Sequence, residues 1–147
     1  MTIRNAHLSD LPSITLLFDK YRIFYEMQSD LTGVAKFLSE RLIKKEAIIF
    51  VSEDSDKKIT GFLLLYPLFS STRMKRLWLL NDLFVDSEYR GKHISVKLID
   101  RAKEHAEQTE SCGLLLETSK SNLIGNNLYA STGFKLDKDH NYYFWNS

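Results

Sequence analysis

The chain has 147 residues, with 20 Lys and Arg against 19 Asp and Glu, a formal net charge of +1, 44% apolar residues and 27% charged ones. That length suits one domain with a real core, and the composition is that of a globular rather than a disordered chain. The near-zero charge argues against a nucleic-acid binder, whose domain is usually distinctly basic.

"TIRNA" is a short strand candidate. In "SDLPSITLLFDKYRIFYEM", Ser9 or Asp10 suits a helix cap and Pro12 a first turn, and Ile14, Leu17, Phe18, Tyr21, Phe24 and Tyr25 recur at helical spacing. "DLTGVAKFLSERLIKK" repeats the pattern with Val34, Phe37, Leu38 and Leu42 and a basic end that suits the helix dipole. "EAIIFVSED", "ITGFLLLYPLFSS" and "RLWLLNDLFV" read as strands, and their short polar connections predict an antiparallel meander.

"DLFVDSEYRGKHISVKLID" follows. Ile94, Leu98, Ala102 and Ala106 fall on one helical face, with Lys92, Asp100, Lys103 and Glu107 pointing away. "GLLLETS" reads as a strand buried on both faces, "NLIGNNLYAS" as a short helix with Gly133 as a left-handed cap, and "FKLDKDHNYYFW" as a closing hairpin. With no linker or repeat, the expectation is a single α/β (α+β) domain over residues 1–147.

The lone cysteine, Cys112, cannot form an internal disulfide, which fits a reducing compartment. Beside Leu114-Leu115-Leu116 it reads as an inert, buried thiol. The opening "MTIRNAHLSD" has no apolar signal core. The run from Phe62 to Phe69 is broken by Pro67 and too short for a bilayer. The expectation is a cytoplasmic protein with no membrane partner. His7, His105 and His140 share no metal-ligand spacing, so no metal is expected.

A helical crossover joins "LWLLNDLFV" to "GLLLETS", making them parallel and neighbouring. The crossover helix starts beside Arg90 and Lys92. Cations there oppose the helix dipole, a conflict that an anionic ligand such as a diphosphate resolves. A solvated basic turn is the competing reading.

"LFVDSEYRGKHIS" resembles the acyl-CoA loop of the GCN5-related N-acetyltransferase (GNAT) superfamily, Arg/Gln-x-x-Gly-x-Gly/Ala after a strand. Arg90 fits the first position, while His93 replaces the middle glycine and Ser95 the last small residue. "SNLIGNNLYASTGF" resembles the same family's Asn-x-x-Ala-x-x-Leu-Tyr-x-x-x-Gly-Phe at Asn122, Leu128, Tyr129, Gly133 and Phe134, with Gly125 in the alanine place. The opening "IRNAHLSDLPSITLLF" resembles the family's first strand and helix, and "LWLLNDLFVDSEYRG" is most like polyamine- and histone-type acetyltransferases.

The resemblance implies a mixed, mostly antiparallel sheet with a splayed parallel strand pair and helices on both faces. It also implies an acyltransferase that moves acetyl from acetyl-CoA, its cosubstrate, to a primary amine: a polyamine, a lysine side chain or another small amine. Leu83, Phe84 and Val85 would pair with the pantetheine arm, and Arg90, Gly91, Lys92, His93, Ile94 and Ser95 would hold the pyrophosphate. His93 is expected in the first helical turn with helical φ, its ring either near phosphate or simply in solvent. Asn122 is expected either at the pantetheine or as a helix cap. Tyr129 would protonate the departing thiolate, against the alternative of an aromatic packed in the core.

Aspartate is depleted in strands, so Asp82 amid Leu79, Leu80, Leu83, Phe84 and Val85 is a candidate for binding or deprotonating the amine. The alternative is a carboxylate bonded to a nearby loop. Asn81 is expected on the opposite face, and Glu117 is a weaker base candidate. Tyr21, Tyr25 and Glu26, with Asp82, suit a cationic amine. The degenerate loop leaves a non-catalytic acyl-CoA-binding module as the alternative function. The aromatic tail "NYYFW" suggests a homodimer.

Overall fold

Four strands run up and down in chain order, the last three joined by short turns and the first separated from them by two helices. In the computed structural model, which describes residues 1–147, β1 (Thr2–Asn5), β2 (Ile48–Glu53), β3 (Ile59–Ser70) and β4 (Lys75–Val85) form an antiparallel ladder. β5 (Leu114–Leu115) adds parallel to β4, giving the order β1-β2-β3-β4-β5. The β2–β3 turn is tied by the Asp54 carboxylate, which accepts the N–H groups of Asp56 and Lys58 at 2.9 and 3.0 Å. Arg4 of β1 binds Glu53 of β2 at 2.6 Å and Asp10 at 2.8 Å, fixing the start of the chain to the sheet.

The helices are α1 (Leu11–Phe24), α2 (Leu31–Ile43), α3 (Ile94–Gln108) and α4 (Leu123–Ser131). Asp10 stands at the N-cap of α1 and Pro12 in its first turn, but the Asp10 carboxylate is taken by His7 N–H and Arg4. Asp30 caps α2 by accepting from Gly33 N–H at 2.9 Å. Ile14, Leu17 and Phe18 of α1 and Val34 and Leu38 of α2 pack on Ile49, Val51, Phe62, Leu64 and Phe84 of the sheet. α3 covers the other face, where His105 lies 5.6 Å from Phe50 and 4.8 Å from Trp78. Helices on both faces therefore bury the central strands, and Phe50, Phe62, Leu63, Leu64 and Leu65 are fully enclosed.

The chain divides into two compact units, Met1–Glu117 and Thr118–Ser147. The second holds α4, with Gly133 just beyond it at φ 91°, the left-handed conformation expected of a cap. Three expectations are corrected. "GLLLETS" forms only a two-residue strand, half-buried rather than enclosed, because its pairing with β4 ends at Leu79. Cys112, expected to be buried, is half-buried. "FKLDKDHNYYFW" forms no hairpin: residues 134–147 belong to no strand, and alternation alone does not make a strand without a paired edge.

Candidate active site

β4 carries the candidate acid–base residue, Asp82. Along it Trp78, Leu80, Asp82 and Phe84 are buried. The register steps at one point: Asp82 faces Leu64, yet Leu80 faces Leu65, leaving Asn81 as an extra residue in a bulge. Asn81 is therefore not a bystander on the opposite face. Its Nδ2 donates to Asp82 Oδ2 at 3.0 Å.

Asp82 is 5% exposed. Burial pushes its carboxyl above the usual aspartate range, while hydrogen bonds from Asn81 and from the Tyr21 phenol pull partly back. Its cross-strand partner Leu64 belongs to the face covered by α1. On that face Tyr66 has its phenol pushed up to about 12, first by burial and then by the Asp82 charge.

The Tyr21 ring lies 5.0 Å from Tyr25, 6.0 Å from Phe62 and 6.2 Å from Phe84. The structure thus brings Tyr21 to Asp82, with exposed Tyr25 edge-on against the Tyr21 ring. Glu26 lies just beyond α1, exposed, with φ 61°. Behind it, buried Asp19 accepts from Ser29 Oγ at 2.6 Å and Asp30 N–H at 2.8 Å, pinning the segment between α1 and α2.

β5 pairs only with Trp78 and Leu79, so from Leu80 to Val85 β4 has a strand on the β3 side alone. Leu83, Phe84 and Val85 lie along this splayed stretch, which ends in a basic turn. Asp86 caps a 3-10 turn at Ser87–Tyr89, accepts Lys20 Nζ at 2.7 Å, and is held below the usual carboxylate range chiefly by that lysine.

Arg90 donates from Nε to the Val85 carbonyl at 3.1 Å, with its guanidinium 5.6 Å from the Phe84 ring. Lys92 and Lys58 both stand over the Tyr89 ring, at 4.9 and 5.0 Å. Gly91 has φ 76°, and His93, the N-cap of α3, has φ 58° and ψ 23°. This corrects the expectation of helical φ: His93 precedes the first turn in the left-handed conformation that glycine adopts without strain. The loop keeps a glycine-type backbone with a histidine in it. The first N–H groups of α3, from Ile94 and Ser95 on, have no partner within the helix, and with Arg90 and Lys92 they make a site suited to a diphosphate.

In the second unit Asn122 caps α4, accepting from Gly125 N–H at 3.1 Å and donating to Thr118 Oγ1 at 3.0 Å. Tyr129 is half-buried on α4, its ring 5.9 Å from Phe134. Glu117 is exposed beyond β5.

The sequence model of the Acetyltransferase (GNAT) family matches residues 14–134, from α1 through the helix that carries Tyr129. The chain belongs to that family. This GNAT chain is 40% identical over 146 residues to the uncharacterized N-acetyltransferase YhfO of Bacillus subtilis, covering 99% of this chain and 97% of the relative. It is 31% identical over 137 residues to a probable acetyltransferase of Haemophilus influenzae, covering 93% and 92%. A crystal structure of a probable acetyltransferase, 36% identical, superposes with a TM-score of 0.96 over 100% of this chain and 98% of the other. The protein is accordingly an acyltransferase, of a family that takes acetyl-CoA as cosubstrate.

Sequence reasoning missed three groups in this acetyltransferase. Tyr66 sits inside an apolar strand and gave no signal beyond its phenol. Asn81 stood out only as a second polar residue beside Asp82, and its alternation misled because a bulge resets the faces. Asp19 lies in a helical stretch where nothing in the sequence marks its burial, yet it is 5% exposed.

Proposed function

We propose that this acetyltransferase moves the acetyl group of acetyl-CoA to a primary amine by direct attack. One observation carries the reading: β4 has an unpaired outer edge from Leu80 to Val85, with a buried carboxylate on that stretch and a basic helix N-terminus at its end. An extended amide chain fits such an edge as an added strand, and a diphosphate fits its end. Leu83, Phe84 and Val85 take the pantetheine arm, and the N–H groups of residues 90–95, with Arg90 and Lys92, take the pyrophosphate.

The thioester supplies the activated acetyl group. The amine nitrogen bonds to the carbonyl carbon, the carbon–sulfur bond breaks, and the thiolate leaves with the sulfur electrons. An alkylammonium has a pKa of about 10, so it must lose a proton before attack. Asp82 receives that proton, directly or through water; its raised pKa makes it a better base than an exposed aspartate. Tyr21, Tyr25 and Glu26 favour a cationic amine, in keeping with a polyamine, lysine side chain or other small amine. The motif assigns Tyr129 the proton for the thiolate. Asn122 serves as the cap that fixes the start of α4 and its place in the motif beside the cofactor.

We take residues 1–147 as one catalytic domain because the family match runs across both compact units. A reducing, cytoplasmic setting fits the one free thiol. The unusual loop favoured a binding-only module. With His93 in a glycine-type conformation, that departure no longer speaks for it. The test is thiol release from acetyl-CoA with and without amines. Release that needs an amine supports transfer; tight acetyl-CoA binding with no amine-dependent release returns the binding module.

A further inference from the structure

The bulge at Asn81 has a second effect. Without it, Asp82 and Leu79, three residues apart, would point to opposite faces of the sheet. With it, Asp82 faces Leu64 and Leu79 faces Tyr66, and Leu64 and Tyr66 share the face under α1 and α2. That face continues through Leu68 and its partner Leu77 to Lys75. β3 is buried as far as Leu65, but Tyr66, Leu68, Leu77 and Leu79 are half-buried and Lys75 is exposed. An apolar strip thus runs out from under the helices, with the Asp82 carboxylate at its inner end and a lysine at its outer end.

Charge along the strip is one-sided. No aspartate or glutamate stands between Lys57 and Asn81, and the turn from β3 to β4 brings Arg73, Lys75 and Arg76. Arg76 belongs to the opposite face, its guanidinium 5.0 Å from the Phe69 ring and 5.2 Å from the Trp78 ring. Nearby on α2 and just beyond it, Glu40 and Glu46 are both paired with Arg41, at 3.4 and 2.7 Å. Lys75 is therefore the cation that closes the strip.

We propose that the acceptor is a single amine on an apolar body that ends in an anion, such as a long ω-amino carboxylic acid, and not a polyamine. This assignment rests on the transfer reading, with the cofactor arm on Leu83–Val85 and the amine beside Asp82. The rest of the acceptor then leads the other way, along the strip. Its nitrogen takes the acetyl group from the cofactor sulfur and gives its proton to Asp82. Its hydrocarbon covers Tyr66, Leu79, Leu68 and Leu77. Its anion meets Lys75, about 20 Å along the strand from Asp82, a span shared by an extended chain of about a dozen carbons and the lysine side chain. A polyamine fits worse on both counts. Its further ammonium groups lose water over apolar side chains with no carboxylate to receive them, and the outermost one meets Lys75.

Two probes of equal length separate these acceptors: ω-aminododecanoate and dodecane-α,ω-diamine, which differ only in the far group. Calorimetry is run on the CoA-loaded protein, where no acetyl group can move. The amino acid should bind roughly tenfold tighter, since the diamine replaces an attraction to Lys75 by a repulsion of similar size. With acetyl-CoA, kcat/KM should follow the same order. In Lys75→Glu, a change at an exposed position, the order should reverse in both assays.

Equal or tighter binding of the diamine overturns the assignment, and so does a ratio that Lys75→Glu leaves unmoved. Failure here and failure of the transfer reading look different. A diamine acetylated as well as the amino acid refutes this acceptor and leaves acetyl transfer standing. No amine acetylated, with acetyl-CoA bound, refutes transfer and this acceptor together.

Discussion

The phenol of Tyr21, on α1, donates a hydrogen bond to the buried carboxylate of Asp82, on β4. The helix that covers the sheet thus reaches the one strand carboxylate whose pKa burial raises, and the bond favours its ionised form. Tyr21→Phe removes that support and keeps the ring packed on Phe62 and Phe84. Asp82 should then titrate still higher. The acid limb of the kcat/KM profile, below which Asp82 is protonated and cannot accept a proton, should move to higher pH. A pH profile of the variant checks this; an unmoved limb separates Tyr21 from Asp82 in function.

Asp82→Asn should separate stability from activity. The folded pKa of Asp82 lies above its unfolded value. Folding therefore favours the protonated form, and Asp82 costs stability as pH rises from the unfolded value through the folded one. At neutral pH the near-isosteric amide removes that cost, so the variant should melt at or above the wild-type temperature. Turnover should fall wherever the wild-type carboxylate is ionised, and the deficit should shrink below the acid limb, where Asp82 is protonated in the wild type as well. A destabilised but fully active variant would leave Asp82 a structural carboxylate.

Arg90→Glu should weaken acetyl-CoA binding without unfolding the chain, because Arg90 is exposed. A charge-assisted hydrogen bond contributes about 1.5–3 kcal/mol, and each 1.4 kcal/mol is about tenfold in affinity. Calorimetry should show a loss of roughly 10- to 100-fold that shrinks as salt is added. Unchanged affinity would remove the loop from the cofactor site.

His93→Gly should stabilise the loop. A non-glycine residue in the left-handed region costs about 1–2 kcal/mol, and glycine gives back about 0.4–1 kcal/mol through its freer unfolded state. The net expectation is a gain of roughly 0.5–1 kcal/mol in thermal unfolding, with acetyl-CoA affinity kept. A loss of affinity would show that the imidazole contacts phosphate.

How far the sequence could be read follows from what each pattern measures. Alternation and polar turns gave β2, β3 and β4 and their antiparallel order, since short connections leave few other pairings. The basic turn after Val85 marked the candidate anion site, because charge at a helix start is legible as spacing. The φ of His93 was not legible: a loop's demand for left-handed backbone is seen only where glycine marks it, and here histidine stands instead. The bulge at Asn81 was invisible because bulges belong to the pairing of two strands. "GLLLETS" and "FKLDKDHNYYFW" were over-read for the same reason: apolar runs and alternation show what a strand would look like, and only a partner edge decides whether it forms.

Tyr129→Phe deletes one oxygen and keeps the ring beside Phe134. A general acid is worth about 10²–10⁴-fold, and water replaces a weak acid in part, so kcat should fall by roughly 10²-fold with little change in acetyl-CoA affinity. The unfolding midpoint should shift only slightly. A stability loss with kcat within about twofold would leave Tyr129 a packing residue.

The most direct test of acetyl transfer is mass spectrometry of an amine panel (polyamines, a lysine peptide, amino sugars) incubated with the protein and acetyl-CoA, with Asp82→Asn run alongside. The account predicts an N-acetylated amine formed in step with free CoA, and far less of it from the variant at the same acetyl-CoA occupancy. Saturated acetyl-CoA binding with every amine recovered unmodified would contradict it.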